Sequence, residues 1–112
     1  MNTTELRSRF EGKGDLLRRL IRILGEQTPQ LLGRLRLAAR NGDARGVEGA
    51  AHTLRGSLMQ FGAHDAAELA HQLEQAAGDG AIGQAEAAID ELKLHTDEIQ
   101  QVLNNLANSP DL

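Results

Sequence analysis

The sequence predicts an all-α fold, an antiparallel up-down four-helix bundle with a short extra N-terminal helix. Three observations predict it. Leu and Ala dominate the apolar residues, only 2% of the residues are aromatic and only two are proline, a composition that favours helices over strands. Apolar residues recur at spacings of three and four in five segments of the chain, as on one face of a helix. The breaks between these segments are short, and short connections make neighbouring long helices antiparallel.

The boundaries of the five helices follow from this spacing and from the glycines that interrupt it. Thr3 or Thr4 is expected to cap the short first helix, and Asp43 to cap the third. The length of 112 residues suits a single domain, residues 1–112. The predicted helices cover about 4–10, 15–41, 44–61, 65–77 and 82–107.

Two of these segments carry a further expectation. Pro29 interrupts the second segment, and a proline inside a helix removes a backbone hydrogen bond. We therefore expect residues 15–41 to form one kinked helix or two abutting ones. The C-terminal residues 108–112 have no apolar spacing and are expected to fray.

Composition excludes several classes of function. The chain has no cysteine, which rules out disulfides and thiol catalysis and suits a reducing cytoplasm. No apolar run approaches the ~18 residues of a membrane span, and the N-terminus lacks the apolar core of a signal peptide. We therefore expect a cytoplasmic protein that does not bind a membrane.

The charge is unevenly distributed along the chain. Residues 1–40 hold nine Lys or Arg against four Asp or Glu, whereas residues 41–112 hold three against twelve. A basic N-terminal third can bind nucleic acid or steer an acidic protein partner. The near absence of aromatic stacking residues and of a recognition helix argues against nucleic acid. We expect a monomer, because the site described next must be accessible.

The most informative residue is His52, in the third predicted helix. Ala51 and Leu54 belong to the apolar stripe of this helix, and His52 is rotated by about 100° from Ala51. His52 is therefore expected at the edge of the buried stripe, where its imidazole reaches solvent. Arg55 at i+3 and Gly56 at i+4 lie on the same helical face.

Gly56 and Arg55 suggest what this face does. A glycine inside a helix costs about 1 kcal/mol relative to alanine. Helical side chains lean toward the N-terminus, so any side chain at 56 would lean over His52, and its removal lets another macromolecule approach the ring. A tight helix contact is the alternative explanation of Gly56. Arg55 can neutralise a phosphoryl group on the imidazole, or it is one more solvated cation.

A neutral imidazole is a competent nucleophile near physiological pH. When one ring nitrogen attacks, the other keeps its proton and needs an acceptor that holds the tautomer. Glu74, on the following antiparallel helix, is the most attractive acceptor. The other histidines, His64, His71 and His95, are interpreted as solvated surface residues, and the alternative for His71 is that it borders the site from the adjacent helix. No two histidines have the i, i+4 spacing of a helical zinc site, so no metal site is expected.

These residues together resemble a known family. The run Ala51-His52-Thr53-Leu54-Arg55-Gly56-Ser57, followed by Phe61-Gly62-Ala63 and Leu73-Glu74, is similar to the core of the histidine phosphotransfer (HPt) domains of two-component phosphorelays. The resemblance implies that His52 is phosphorylated through Nε2, that Gly56 gives the partner clearance and that Glu74 orients the ring. Arg55 stands where the family usually has lysine, which keeps the charge but changes its geometry.

The resemblance also implies partners. A receiver domain of a response regulator or of a hybrid histidine kinase would donate the phosphoryl group from an aspartate, and a second receiver would accept it. The chain would need no cofactor of its own, and Mg²⁺ would belong to the receiver. There is no room beside the helices for an ATP-binding domain, so no autonomous kinase activity is expected. Residues assigned to receiver contact are Ser57, Gln60, Leu6 and Phe10.

Two other classes of function remain open at this point. One is a catalytically silent adaptor of the same fold that binds a receiver or kinase domain, although such a domain would be expected to lose His52. The other is an unrelated helical adaptor or nucleic-acid binder, whose binding would fall with rising salt and which would take up no phosphoryl group.

Overall fold

The structure is a computed structural model that describes residues 1–112, and it confirms the predicted fold class. It contains helices and no strands. Helix α2 packs against α3 and α5, while α4 packs against α3 and α5, so these four helices close into a bundle of 46 × 19 × 18 Å. The elements are α1 (Thr3–Arg9), α2 (Gly14–Arg40), α3 (Ala44–Gln60), α4 (His64–Gly78) and α5 (Ala85–Ala107).

Three predicted details differ from the structure. Residues Gly14–Arg40 form one helix that continues through Pro29, so the alternative of two abutting helices is wrong. Burial explains this, since apolar residues on both sides of the proline enter the core and outweigh one missing hydrogen bond. Helix α5 begins at Ala85 rather than at 82. Helix α1 is capped by Asn2, whose side chain accepts from the backbone of Glu5 at 3.0 Å, and not by Thr3 or Thr4.

The connections around α3 set its direction. Asp43 caps this helix as predicted, and its side chain accepts from the backbone of Gly46 at 2.9 Å. Gly42 and Gly62 have φ values of 67° and 68°, in the left-handed region that glycine adopts without steric cost. Each allows the chain to reverse within three residues, so α3 runs antiparallel to α2 and to α4.

The core consists of two clusters of buried residues. The larger contains 18 residues from α2–α5 and the segment before α4. Many of those on α3 and α4 are alanines, including Ala51 and Ala70, both fully buried. Small side chains at a helix contact allow the two axes to approach closely. This close approach places the outer edges of α3 and α4 side by side, and that is where His52 lies.

The second cluster holds the N-terminal helix and the C-terminal tail at one end of the bundle. Leu6 of α1 packs there with residues of α2 and α5 and with Phe61. The tail is tied down by two arginines, because Arg18 donates to the carbonyls of Ala107 at 2.9 Å and Ser109 at 3.2 Å, and Arg7 donates to the Ser109 hydroxyl at 2.9 Å. The expectation that residues 108–112 fray is therefore wrong.

Candidate functional site

His52 lies on the outer edge of α3, with the buried residues Ala51 and Leu54 on its inner face. Its side chain is 62% exposed. The amphipathic spacing of α3 causes this placement, because burial of the apolar stripe leaves the next residue at the boundary with solvent. The imidazole is therefore held by the helix and open to another molecule.

The ring of His52 is joined to α4 by one short hydrogen bond. Its Nδ1 atom lies 2.7 Å from Oε2 of Glu74. An ionised carboxylate only accepts hydrogen bonds, so Nδ1 carries the proton and donates it to Glu74. The second ring nitrogen, Nε2, then keeps its lone pair. Glu74 thus fixes the tautomer in which the exposed nitrogen is the nucleophilic one.

The environment of Glu74 keeps it ionised. Its side chain is only 19% exposed, and burial alone raises the pKa of this carboxyl group. The hydrogen bond from His52 and the charge of Arg55 outweigh burial, so that the pKa of Glu74 lies below its usual range. The carboxylate is therefore negative whenever the imidazole is able to act as a nucleophile.

Arg55 spans the space between these groups. Its Nε atom lies 3.4 Å from Oε1 of Glu74, and its Nη2 atom lies 3.3 Å from Nδ1 of His52. The second contact is not a hydrogen bond, because Arg55 and the protonated Nδ1 are both donors. The guanidinium group is one-third exposed and lies beside the ring. It supplies positive charge there without competing for the nucleophilic nitrogen.

His71 borders this site from α4, so the alternative interpretation holds and that of a solvated surface residue is wrong. Arg55 Nη1 lies 2.9 Å from His71 Nδ1. Since arginine only donates, His71 accepts through Nδ1 and holds one arm of the guanidinium fork. His71 precedes Glu74 by three residues, which places both on one face of α4. That spacing is a signal in the sequence that places His71 near Glu74, whereas its contact with Arg55 depends on how α4 packs against α3.

The surroundings of Gly56 exclude one of its two explanations. Gly56 is exposed, and a Cβ atom built on it would meet no atom within 4 Å. A glycine required for tight helix packing would show a close neighbour at this position, so the packing explanation is wrong. The open space lies one turn beyond His52, on the same face of α3.

Comparison with known proteins decides the family. Residues 19–108 match the model of the Hpt domain, and this range includes the whole site. The chain belongs to the Hpt family. It is therefore a histidine phosphotransfer protein of phosphorelays, in which Hpt domains work with receiver domains and kinases.

A solved structure agrees with this fold. The crystal structure of histidine-containing phosphotransfer protein B (HptB) from Pseudomonas aeruginosa PAO1 is similar, with a TM-score of 0.88 and 22% sequence identity. The similarity covers 96% of this chain and 93% of that chain. No curated protein sequence matches the chain significantly.

The residues predicted to contact a receiver are placed unequally on this Hpt domain. Leu6 is 2% exposed, so its side chain stabilises the bundle end and offers almost no surface to a partner, which corrects that prediction. Phe10 is half-buried against the same cluster. Ser57 is half-buried and donates to the carbonyl of Thr53 at 3.3 Å. Gln60 is exposed and its carbonyl accepts from Arg9, so its side chain remains available.

The length and hydropathy of the five helices were compared with those of membrane-spanning helices. None of the five combines the length and the apolar character required of a helix that crosses a bilayer.

Proposed function

We propose that His52 is the phosphoryl acceptor and donor of this Hpt domain, taking the group from a receiver aspartate and passing it to another receiver aspartate. The hydrogen bond from His52 Nδ1 to Glu74 supports this most strongly. It leaves Nε2 unprotonated on a ring that is 62% exposed. His64, the other exposed histidine, has no carboxylate at hydrogen-bond distance.

The transfer requires one bond to form and one to break. The lone pair of Nε2 attacks the phosphorus atom of the aspartyl phosphate, and the bond from phosphorus to the aspartate oxygen breaks. The receiver carboxylate leaves with that electron pair. The proton on Nδ1 stays in place, so the ring gains a positive charge as it gains the phosphoryl group. Glu74, ionised and 2.7 Å away, compensates that charge, and the reverse reaction follows the same path.

Arg55 stabilises the other product charge. A phosphoryl group adds about −1.5 to −2 charges near neutral pH, and charge-assisted hydrogen bonds to a guanidinium group are roughly twice as strong as neutral ones. Arg55 is held beside the ring by Glu74 and His71. Little of its side-chain entropy is then lost during transfer, so position and charge supply the catalysis.

The remaining components belong to the partner. The receiver aspartate provides the activated phosphoryl group, and Mg²⁺ in the acidic pocket of the receiver neutralises the phosphoryl oxygens during transfer. The Hpt domain binds no cofactor and has no kinase activity of its own. It acts as a monomer in the cytoplasm, where it meets receivers of response regulators or of a hybrid histidine kinase.

The test uses phosphorylated receivers from the same genome, with Mg²⁺ present, and intact mass measurement of the Hpt domain. Wild type should gain one acid-labile phosphoryl group and His52→Gln should gain none. His95→Gln is the matched control, since this histidine lies on α5, and it should behave as wild type. Receiver binding without phosphoryl gain in wild type would instead support the silent adaptor.

A further inference from the structure

A groove extends from the phosphotransfer site to the N-terminal helix. It consists of two adjoining cavities of about 490 and 450 Å³ that share Met59 and His64 as lining residues. One cavity begins at Arg55 and Gly56, and the other ends at Glu5 on α1. We call this surface the α1–α4 groove. Because one of the cavities includes Gly56, a partner that approaches His52 over this residue can also contact the groove.

One large apolar side chain is exposed in the groove. Met59 lies at its centre with 47% of its surface exposed. A methionine adapts its shape to different partners because it is unbranched and its thioether is polarisable. Gly56 lies one turn away on the same helix, so the surface between Met59 and His52 carries no obstructing side chain. This part of the groove is therefore suited to one apolar side chain of a partner.

The rim of the groove carries three carboxylates that are not paired within the chain. Glu5, Asp65 and Glu68 line it, and none of them has an ion-pair partner within 4.0 Å, since none is among the ion pairs of the chain. Two arginines also line the groove. Arg55 is engaged by Glu74 and His71, whereas Arg9 donates to the neutral Gln60 carbonyl and keeps its positive charge on the α1 side. The unpaired negative charge nearest Gly56 is therefore that of Glu68.

The side chain of Glu68 makes no hydrogen bond or ion pair within the chain that would account for its presence. Glu5 and Asp65 lie in the first turns of α1 and α4, where a carboxylate is stabilised by the helix dipole. Glu68 lies beyond the first turn of α4, is exposed, and shares its cavity with Gly56 and Met59. Its charge is therefore available to a partner that docks beside His52.

We propose that the α1–α4 groove selects among receiver domains by charge, and that Glu68 is its main specificity-determining residue. The preferred receiver places an apolar side chain on Met59 and a Lys or Arg side chain opposite Glu68. Charges at the rim of an interface mainly change the rate of association and the partner preference. This inference rests on the proposed function, since it assigns the partner of the same site.

The test compares Glu68→Lys with Glu98→Lys. Both variants change the net charge equally, but Glu98 lies on α5, is exposed, and lines neither cavity. Each protein is mixed with receivers that have been phosphorylated by acetyl phosphate in the presence of Mg²⁺. Uptake from phosphoramidate, a small phosphoryl donor that needs no docking, serves as the reference for the chemistry of His52. The measured quantity is the rate from the receiver divided by the rate from phosphoramidate.

For the receiver that wild type prefers, this ratio should fall by about tenfold in Glu68→Lys at low ionic strength, and the deficit should shrink as salt is added. Glu98→Lys should stay within about twofold of wild type. Glu68→Gln, which avoids a new charge, should show a smaller loss in the same direction, and this covers the case in which the lysine variant folds poorly.

Equal ratios in the Glu68 and Glu98 variants would overturn the assignment of the groove while leaving the relay through His52 in place. A wild-type protein that phosphoramidate labels at His52, but that no receiver loads, would contradict the proposed function itself. The two failures are therefore distinguishable in one set of measurements.

Discussion

His52 and Glu74 are 22 residues apart and lie on neighbouring helices, with Nδ1 of the first 2.7 Å from Oε2 of the second. This one contact couples the packing of α3 against α4 to the chemistry of the exposed ring. It fixes the tautomer, and in the proposed reaction it supplies the negative charge that a phosphorylated ring needs. The contact also makes the site sensitive to substitutions and to pH in ways that can be measured.

Glu74 should contribute to stability only when it is ionised. Because the pKa of Glu74 is lower in the folded protein than the usual 4.5, the ionised form favours folding. This contribution is complete above that usual value and is lost as the pH falls through the lower, folded pKa. The difference in unfolding free energy between wild type and Glu74→Gln should therefore shrink between pH 7 and pH 3, as measured by urea denaturation.

A suitable control is Glu98→Gln, which removes an exposed carboxylate that has no ion-pair partner. Its unfolding free energy should stay within about 0.5 kcal/mol of wild type at both pH values. If Glu74→Gln behaved in the same way, the hydrogen bond to His52 would have no energetic role.

Two replacements of Arg55 should distinguish the effect of its positive charge on the transfer rate from the effect of its forked guanidinium group. Arg55→Ala removes the cation beside the phosphoryl group, and the rate of transfer should fall by about tenfold or more, since hydrogen bonds to charged groups contribute about 1.5–3 kcal/mol. Arg55→Lys keeps the charge but cannot reach Glu74 and His71 together as the fork does. Its rate should lie between those of wild type and the alanine variant in rapid-quench measurements. A lysine variant as slow as Arg55→Ala would show that the fork matters and the charge does not.

Gly56 should tolerate a methyl group but not a long side chain. Gly56→Glu should fold, because the position is open, yet transfer from a receiver should be blocked because the new side chain occupies the approach to His52. Uptake from phosphoramidate should be reduced much less. Undiminished transfer from a receiver would show that the clearance at this position is unimportant.

Gly56 should also lower the unfolding free energy of the domain relative to alanine at the same position. Gly56→Ala should raise the unfolding free energy by up to about 1 kcal/mol, because alanine is the better helix former and a Cβ atom at 56 meets no neighbour. Gly42→Ala is the contrasting variant, since its φ of 67° is unfavourable for alanine and should cost about 1–2 kcal/mol. A destabilised Gly56→Ala would argue for a packing role.

Leu6 should contribute to the stability of the folded domain. Leu6→Ala removes a side chain that is 2% exposed and should lower the unfolding free energy by about 2–4 kcal/mol. Leu94→Ala deletes the same groups from a residue that is 65% exposed and should change it by less than about 0.5 kcal/mol. Thermal unfolding monitored by circular dichroism compares the two, and equal effects would contradict the burial of α1.

The parts of the site that lie on one helix could be predicted from the sequence. His52, Arg55 and Gly56 share a face because helical spacing is local, and the exposure of His52 follows from its offset relative to Ala51. Glu74 could be named as a candidate because α3 and α4 are joined by a short connection. The contact between His71 and Arg55 could not be predicted, because it depends on the register of one helix against the other.

The packing of the first helix could not be predicted from the sequence either. Its apolar residues Leu6 and Phe10 can be recognised in the sequence, but whether they face a partner or the core depends on where the helix packs. The structure places Leu6 among residues of α2 and α5, and the exposed apolar side chain beside the site is Met59 instead. The tail could not be predicted for the same reason, since Arg7 and Arg18 hold it through contacts about 90 to 100 residues apart in sequence.

The amino-acid sequence alone determined the helical class of this protein, the approximate extent of its helices and the exposed histidine that we propose as the phosphoryl acceptor. All three follow from interactions between residues within about one or two turns of each other. The tertiary structure decided which nitrogen of His52 is free, which side chains hold Arg55, and where unpaired charge meets an apolar surface. These features depend on the distance between α3 and α4 and on how their side chains pack together. Both are determined by contacts between residues far apart in sequence, which exist only in the folded chain.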